Sequence, residues 1–160
     1  MDKRHVAPLI AEFSRNKLIL GRILADFTEE EMKRRAGGAN PALWVLGHIA
    51  MVRLSLGRRI GLSIETRCWE SAFGKGSDPT VALPNVPKDS LLAEIEAGHD
   101  LLMDQISSLS QEQLSADSGR QYPDGANDVY GMMAFLAWHE AYHLGQLGLI
   151  RSCLGKQRLA

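Results

Sequence analysis

The stretch "DVYGMMAFLAWHEAYHLGQLGLIRSCLG", residues 128–155, decides the fold. Apolar residues recur through it at helical spacing, along a face formed by Met132, Leu136, His139, His143, Gln146, Ile150 and Cys153. The spacing predicts one helix that starts at Asn127 or Asp128, reaches Leu154 and stops at Gly155. At about 1.5 Å per residue, such a helix is roughly 40 Å long. Inside it, His139-Glu140-Ala141-Tyr142-His143 spells H-E-x-x-H, the zinc-protease signature with two histidine ligands and a glutamate base.

The rest of the chain supplies three more long helices. Val6, Leu9, Ile10, Phe13, Leu20, Ile23, Leu24 and Phe27 predict a helix over about 2–26. Asn40 as cap and Pro41 in the first turn open "PALWVLGHIAMVRLSLGRRIG" (41–61), whose stripe is Val45, Ile49, Val52 and Leu56, with Gly61 as stop. Leu92, Ile95, Leu102, Ile106 and Leu109 predict a helix over about 88–108. The Gly/Pro-rich segment 62–87 reads as a long crossover between the second and third of these helices, and loops of that length are often functional. "FTEEEM" (27–32) and "LSQEQL" (109–114) each spell a capping box opening a short helix, a faint internal echo of two similar helix pairs. The expectation is an all-α four-helix bundle forming a single domain over 1–160.

Composition narrows the function classes. The chain has 160 residues, 45% apolar and 23% charged, with a formal net charge of -1. That is an ordinary globular balance, with no basic surplus pointing to nucleic acid or an anionic membrane. The start carries no signal-peptide core, and the run "GMMAFLAW" is too short to span a bilayer. Cys68 and Cys153 are isolated, so a reducing cytoplasm is the expected compartment.

Of the five histidines, His5 reads as a solvated residue near a terminus. His139 and His143 lie one turn apart on one helix face. Two inward imidazoles in an apolar stripe need partners for four ring nitrogens, and a shared metal ion is the economical one. His48, beside the core stripe of the second long helix, is the natural third ligand. The protease reading fails on this point. The familiar arrangements take their third ligand downstream, yet "LGQLGLIRSCLGKQRLA" (144–160) contains no His, Asp or Glu. Glu140 then reads as a solvated or inter-helix charge, with contact to the metal's water as the alternative. His99 falls near the inward stripe of its helix and reads as a satisfied core or boundary histidine that could also reach the site. Gln146 and Tyr142 are candidates to hydrogen-bond a ligand. Trp44, one turn before His48, reads as packing. Cys68 in the crossover reads as an inert thiol, with reactivity as the alternative.

"NPALWVLGHIA" (40–50) followed by "AWHEAYHLGQLGLIRSCLG" (137–155) resembles the DinB-like superfamily of metal-binding bundles, and the likeness covers essentially the whole chain. Its most specific element is H-x-x-x-H-x-G-Q, here His139, His143, Gly145 and Gln146. The resemblance implies an up-down-down-up bundle, a metal held by His48, His139 and His143, a homodimer, and kinship with transferases and isomerases that use low-molecular-weight thiols such as bacillithiol or mycothiol. Three imidazoles suit zinc or nickel first, with manganese, iron and cobalt also compatible. The reading is therefore a divalent-metal-dependent enzyme acting on a small molecule, of thiol S-transferase type, with a low-molecular-weight thiol as cosubstrate. Two alternatives stay open: a metal-dependent hydrolase using Glu140 as base, and a non-enzymatic metal-binding stress-response module.

Overall fold

Six helices and no strand make up the described part of the computed structural model, which covers residues 6–74, 76–78 and 83–157. His5 and the first residues expected in the opening helix lie outside it. The helices are α1 (Ala7–Leu24), α2 (Glu29–Lys33), α3 (Ala42–Arg59), α4 (Lys88–Ser108), α5 (Gln111–Leu114) and α6 (Val129–Cys153), with a 3₁₀ turn at Glu70–Phe73 in the crossover. Of the four long helices, α1 packs on α4 and α6, and α3 packs on the same two. Among the described residues no helix is long and apolar enough to cross a membrane.

Local chemistry sets the helix ends. Both capping boxes form: Thr28 with Glu31 opens α2, and Ser110 with Gln113 opens α5. Asp128 caps α6 by accepting from the Gly131 N–H at 2.7 Å. At the end of α3, Gly61 adopts a φ of +101°, and the Leu62 N–H reaches back to the Gly57 carbonyl at 2.9 Å. The chain can take that left-handed step there because glycine has no Cβ. The expected Asn40 cap is corrected: Pro41 occupies the cap position of α3, and no side chain bonds to the first turn. With its extended ψ of 147°, Pro41 lies just outside the helix, so Ala42 is the first helical residue.

The core is two apolar clusters with a polar layer between them. One cluster takes Leu20–Leu24 of α1, Ala42–Ala50 of α3, Phe73, Leu91 and Ile95 of α4, and Leu144–Ile150 of α6. The other takes Leu9 and Phe13, Leu56 and Ile60, Leu102–Ile106, and Met132–Ala137. Each long helix changes from one cluster to the other across buried or half-buried polar residues: Ser14 and Asn16, Arg53, His99, and Glu140.

Candidate metal centre

His48 owes its setting to the crossover. From Ala42 to Ala50 every residue of α3 is buried, because the 3₁₀ turn covers the face that the other helices leave open. Gly47 makes this covering possible. A Cβ there would sit 2.5 Å from the Phe73 ring, closer than carbon atoms approach. With the ring against the helix, the Phe73 carbonyl accepts from His48 Nδ1 at 2.7 Å. Trp44 stacks on the His48 ring, centroids 5.0 Å apart and planes 8° apart. Its indole N–H donates to Ser77 Oγ at 2.9 Å, and Ser77 donates on to the Gly74 carbonyl at 2.8 Å. The crossover is thereby tied down on both sides of the imidazole.

On α6, His143 donates from Nδ1 to Gln146 Oε1 at 2.7 Å, and the Gln146 amide donates to the Tyr142 hydroxyl at 3.2 Å. The Nε2 atoms of His139 and His143 face each other at 3.1 Å. The rings of His48 and His143 are 4.8 Å apart, and those of His48 and His139 are 5.3 Å apart. One nitrogen from each of the three histidines lies within 4.8 Å of the others, a group that could hold a metal ion.

The donor chemistry fits such an ion. Nδ1–H bonds on His48 and His143 leave the Nε2 lone pair of each free to coordinate. At zinc–nitrogen lengths of about 2.0–2.1 Å, tetrahedral ligands stand roughly 3.3 Å apart, close to the His139–His143 separation. All three imidazoles are held below the ordinary 6.5, chiefly by burial. For His143 burial, together with the neighbouring His139 and His48, outweighs the Gln146 hydrogen bond and brings the value to about 4. The rings are therefore neutral near pH 7, the form that binds metal. His139 is the half-buried member of the trio, with Phe135 stacked on it at 5.9 Å and exposed Trp138 and Tyr142 on the same stretch of helix, so the group opens to solvent on that side.

Of the remaining residues, Cys153 alone departs from its expected setting. Glu140 is an inter-helix charge and is not solvated: it is 3% exposed and grips Arg53 through both carboxylate oxygens. His99 is buried, its nitrogens engaged with Arg53 and Ser14 at 3.2 Å each, and it stands apart from the three-histidine group. Cys68 is exposed and outside that group. Cys153, expected on the inward face of α6, is exposed. A seven-residue apolar repeat drifts about 20° per heptad on a straight helix, and three heptads separate it from Met132, so the stripe has rotated away. Sequence reasoning missed Arg53 and the Phe73 carbonyl. Arg53 lies one turn after Ile49 in the core stripe, and a cation at that phase was the available signal. For the Phe73 carbonyl the available signal was Gly47 beside His48, a residue that lets a neighbouring backbone approach closely.

A model of the DinB superfamily matches residues 13–147, a span that contains all three histidines. A search of curated proteins finds no match.

Proposed function

The chain belongs to the DinB superfamily, and from that premise we propose that it binds one divalent transition metal through His48, His139 and His143 and uses it as a small-molecule enzyme of thiol S-transferase type. The observation that carries the reading is the convergence of three neutral imidazoles, two of them fixed by Nδ1–H bonds. Zinc or nickel suits this donor set first.

The up-down-down-up bundle belongs to the same proposal. Contacts between α1 and α6 advance together, from Asn16 with Ala137 to Ile23 with Arg151. Those between α3 and α4 also advance together, from Arg53 with His99 to Ile60 with Gln105. Contacts between α3 and α6 run oppositely, His48 beside His143 and Arg53 beside Glu140. Parallel neighbours of this kind need a long connection, which the crossover supplies.

A metal with three imidazole ligands keeps room for a further ligand and lowers the pKa of a water or thiol bound there. The chain's own contribution is orientation. Phe73 and Gln146 fix two ligand rings, Trp44 shields His48 from water, and the solvent-facing side at His139 admits a small molecule. Tyr142 acts through Gln146.

The hydrolase alternative asks Glu140 to take a proton from water. Both of its oxygens are committed to Arg53 inside the core, so the geometry counts against that base role. The test is turnover by zinc- or nickel-loaded protein of a low-molecular-weight thiol with an electrophile such as monobromobimane, beside simple ester and amide substrates. Thiol conjugation above the metal-free background supports the proposal. Hydrolysis alone would favour the base role of Glu140, and inactivity of fully loaded protein would favour a non-enzymatic module.

A further inference from the structure

Arg53 and Glu140 form an ion pair in the polar layer between the two apolar clusters, with 5% and 3% of their surfaces exposed. Arg53 Nε donates to Glu140 Oε2 at 2.8 Å and one terminal nitrogen donates to Oε1 at 2.7 Å. The same nitrogen donates to the Phe13 carbonyl at 2.8 Å, and the other donates to His99 Nδ1 at 3.2 Å. With Nδ1 accepting, His99 carries its proton on Nε2 and donates to Ser14 Oγ at 3.2 Å. One guanidinium thus touches all four long helices.

A buried ion pair is a poor source of stability, because desolvating two charges offsets most of their attraction, and an apolar pair of similar volume often does as well. What the pair does supply is geometry. Apolar packing is non-directional and tolerates sliding, whereas a planar fork on a carboxylate has one good register. Arg53 follows His48 by five residues on α3, and Glu140 directly follows His139 on α6. These are the two helices whose histidines converge. A slip of one residue moves a helix by about 1.5 Å and turns it by about 100°, and it would carry Arg53 or Glu140 into an apolar cluster. Either change takes His48 out of bonding distance of a metal held by the other two rings.

We propose that Arg53 and Glu140 are positioning residues for the metal centre: they lock α3 and α6 in the register that brings His48 onto His139 and His143. This rests on the three-histidine reading above.

The test is titration with Co(II), followed by its visible absorption, of wild type, His48→Ala, Arg53→Met/Glu140→Leu and Arg53→Lys. Thermal unfolding of each metal-free protein is measured alongside. The double variant is expected to melt at or above the wild-type temperature yet bind Co(II) at least about tenfold more weakly with an altered spectrum. Arg53→Lys, which keeps the charge and loses the fork, is expected to fall between. Wild-type affinity and spectrum in a folded double variant overturn the proposal. So does an affinity loss that merely parallels lost stability. If the double variant does not fold, Arg53→Lys decides: weakened binding with a near-wild-type melting temperature supports the proposal, and unchanged binding overturns it. Failure of the metal-site reading looks different, since wild type would then take up no Co(II) or His48→Ala would bind as wild type does.

Discussion

Gly47→Ala tests how the crossover controls the metal centre. The new methyl carbon would lie 2.5–2.6 Å from three atoms of the Phe73 ring. Carbon atoms settle at about 3.5–4.0 Å, so the ring must retreat by about 1 Å. Phe73 is fully buried, which leaves no free volume for that movement. Overpacking of this kind costs about 1–3 kcal/mol, and the better helix propensity of alanine returns about 1 kcal/mol. The net destabilisation expected is therefore modest, about 0–2 kcal/mol. The larger effect falls on His48. If the Phe73 carbonyl follows its ring, the 2.7 Å bond to Nδ1 stretches to about 3.7 Å, beyond hydrogen-bonding distance. Losing the group that orients a ligand imidazole weakens metal binding by about 10–100-fold, or about 1.4–2.7 kcal/mol. Competition against a chromophoric chelator measures the affinity, and thermal unfolding of metal-free protein measures the stability. Gly145→Ala is the control, on the helix that carries the other two histidines. A Cβ there meets nothing within 4 Å, so this variant should bind metal as wild type does and gain about 0.5–1 kcal/mol. A Gly47→Ala protein that binds metal with wild-type affinity would refute the reasoning.

Gln146→Leu removes the acceptor for His143 Nδ1–H and should weaken metal binding by about tenfold, read by the same competition assay; an unchanged affinity would deny Gln146 any orienting role. Cys68→Ala should leave metal content unchanged by mass spectrometry, since Cys68 is exposed and outside the histidine group, and loss of metal would make it a ligand. Burial and the cations Arg53 and Lys17 hold His99 below its ordinary 6.5, against the opposing pull of Asp100 and Glu96. The unfolded chain therefore takes up this proton first as pH falls, so the stabilisation is full above about 6.5 and is lost below it. Denaturant unfolding of metal-free protein between about pH 8 and pH 5 should fall less steeply in His99→Gln than in wild type, and equal slopes would count against the assignment.

Much of the fold was legible in the sequence because each long helix carries its own periodicity and two of them carry a glycine stop. Gly61 and Gly155 end α3 and α6 with positive φ, and Asp128 caps α6. The His139–His143 pair was legible for the same reason, since a four-residue spacing on a helix is already a geometry. What the sequence hid lies between elements. Glu140 read as a solvated or inter-helix charge, and the choice stayed open because its partner, Arg53, is 87 residues away in the chain. The Asn40 cap failed because a one-residue shift of the helix start moves the side chain away from the first turn. Gly47 signalled a close backbone approach but not which backbone, so the hold of the Phe73 carbonyl on His48 became visible once the crossover was seen folded onto Gly47.

Metal stoichiometry of purified His48→Ala and Glu140→Gln, measured by mass spectrometry and read beside circular dichroism, tests the central claim most directly. In the proposed centre His48 would supply a ring nitrogen from a helix apart from the other two, whereas both oxygens of Glu140 are turned to Arg53. His99 is held by Arg53 and Ser14, so it is not free to replace His48. The account predicts that His48→Ala folds but loses its metal, while Glu140→Gln, which disturbs a positioning contact but removes no ligand, still takes up about one metal per chain at a weaker affinity. A folded His48→Ala protein that keeps one tightly bound metal would contradict it.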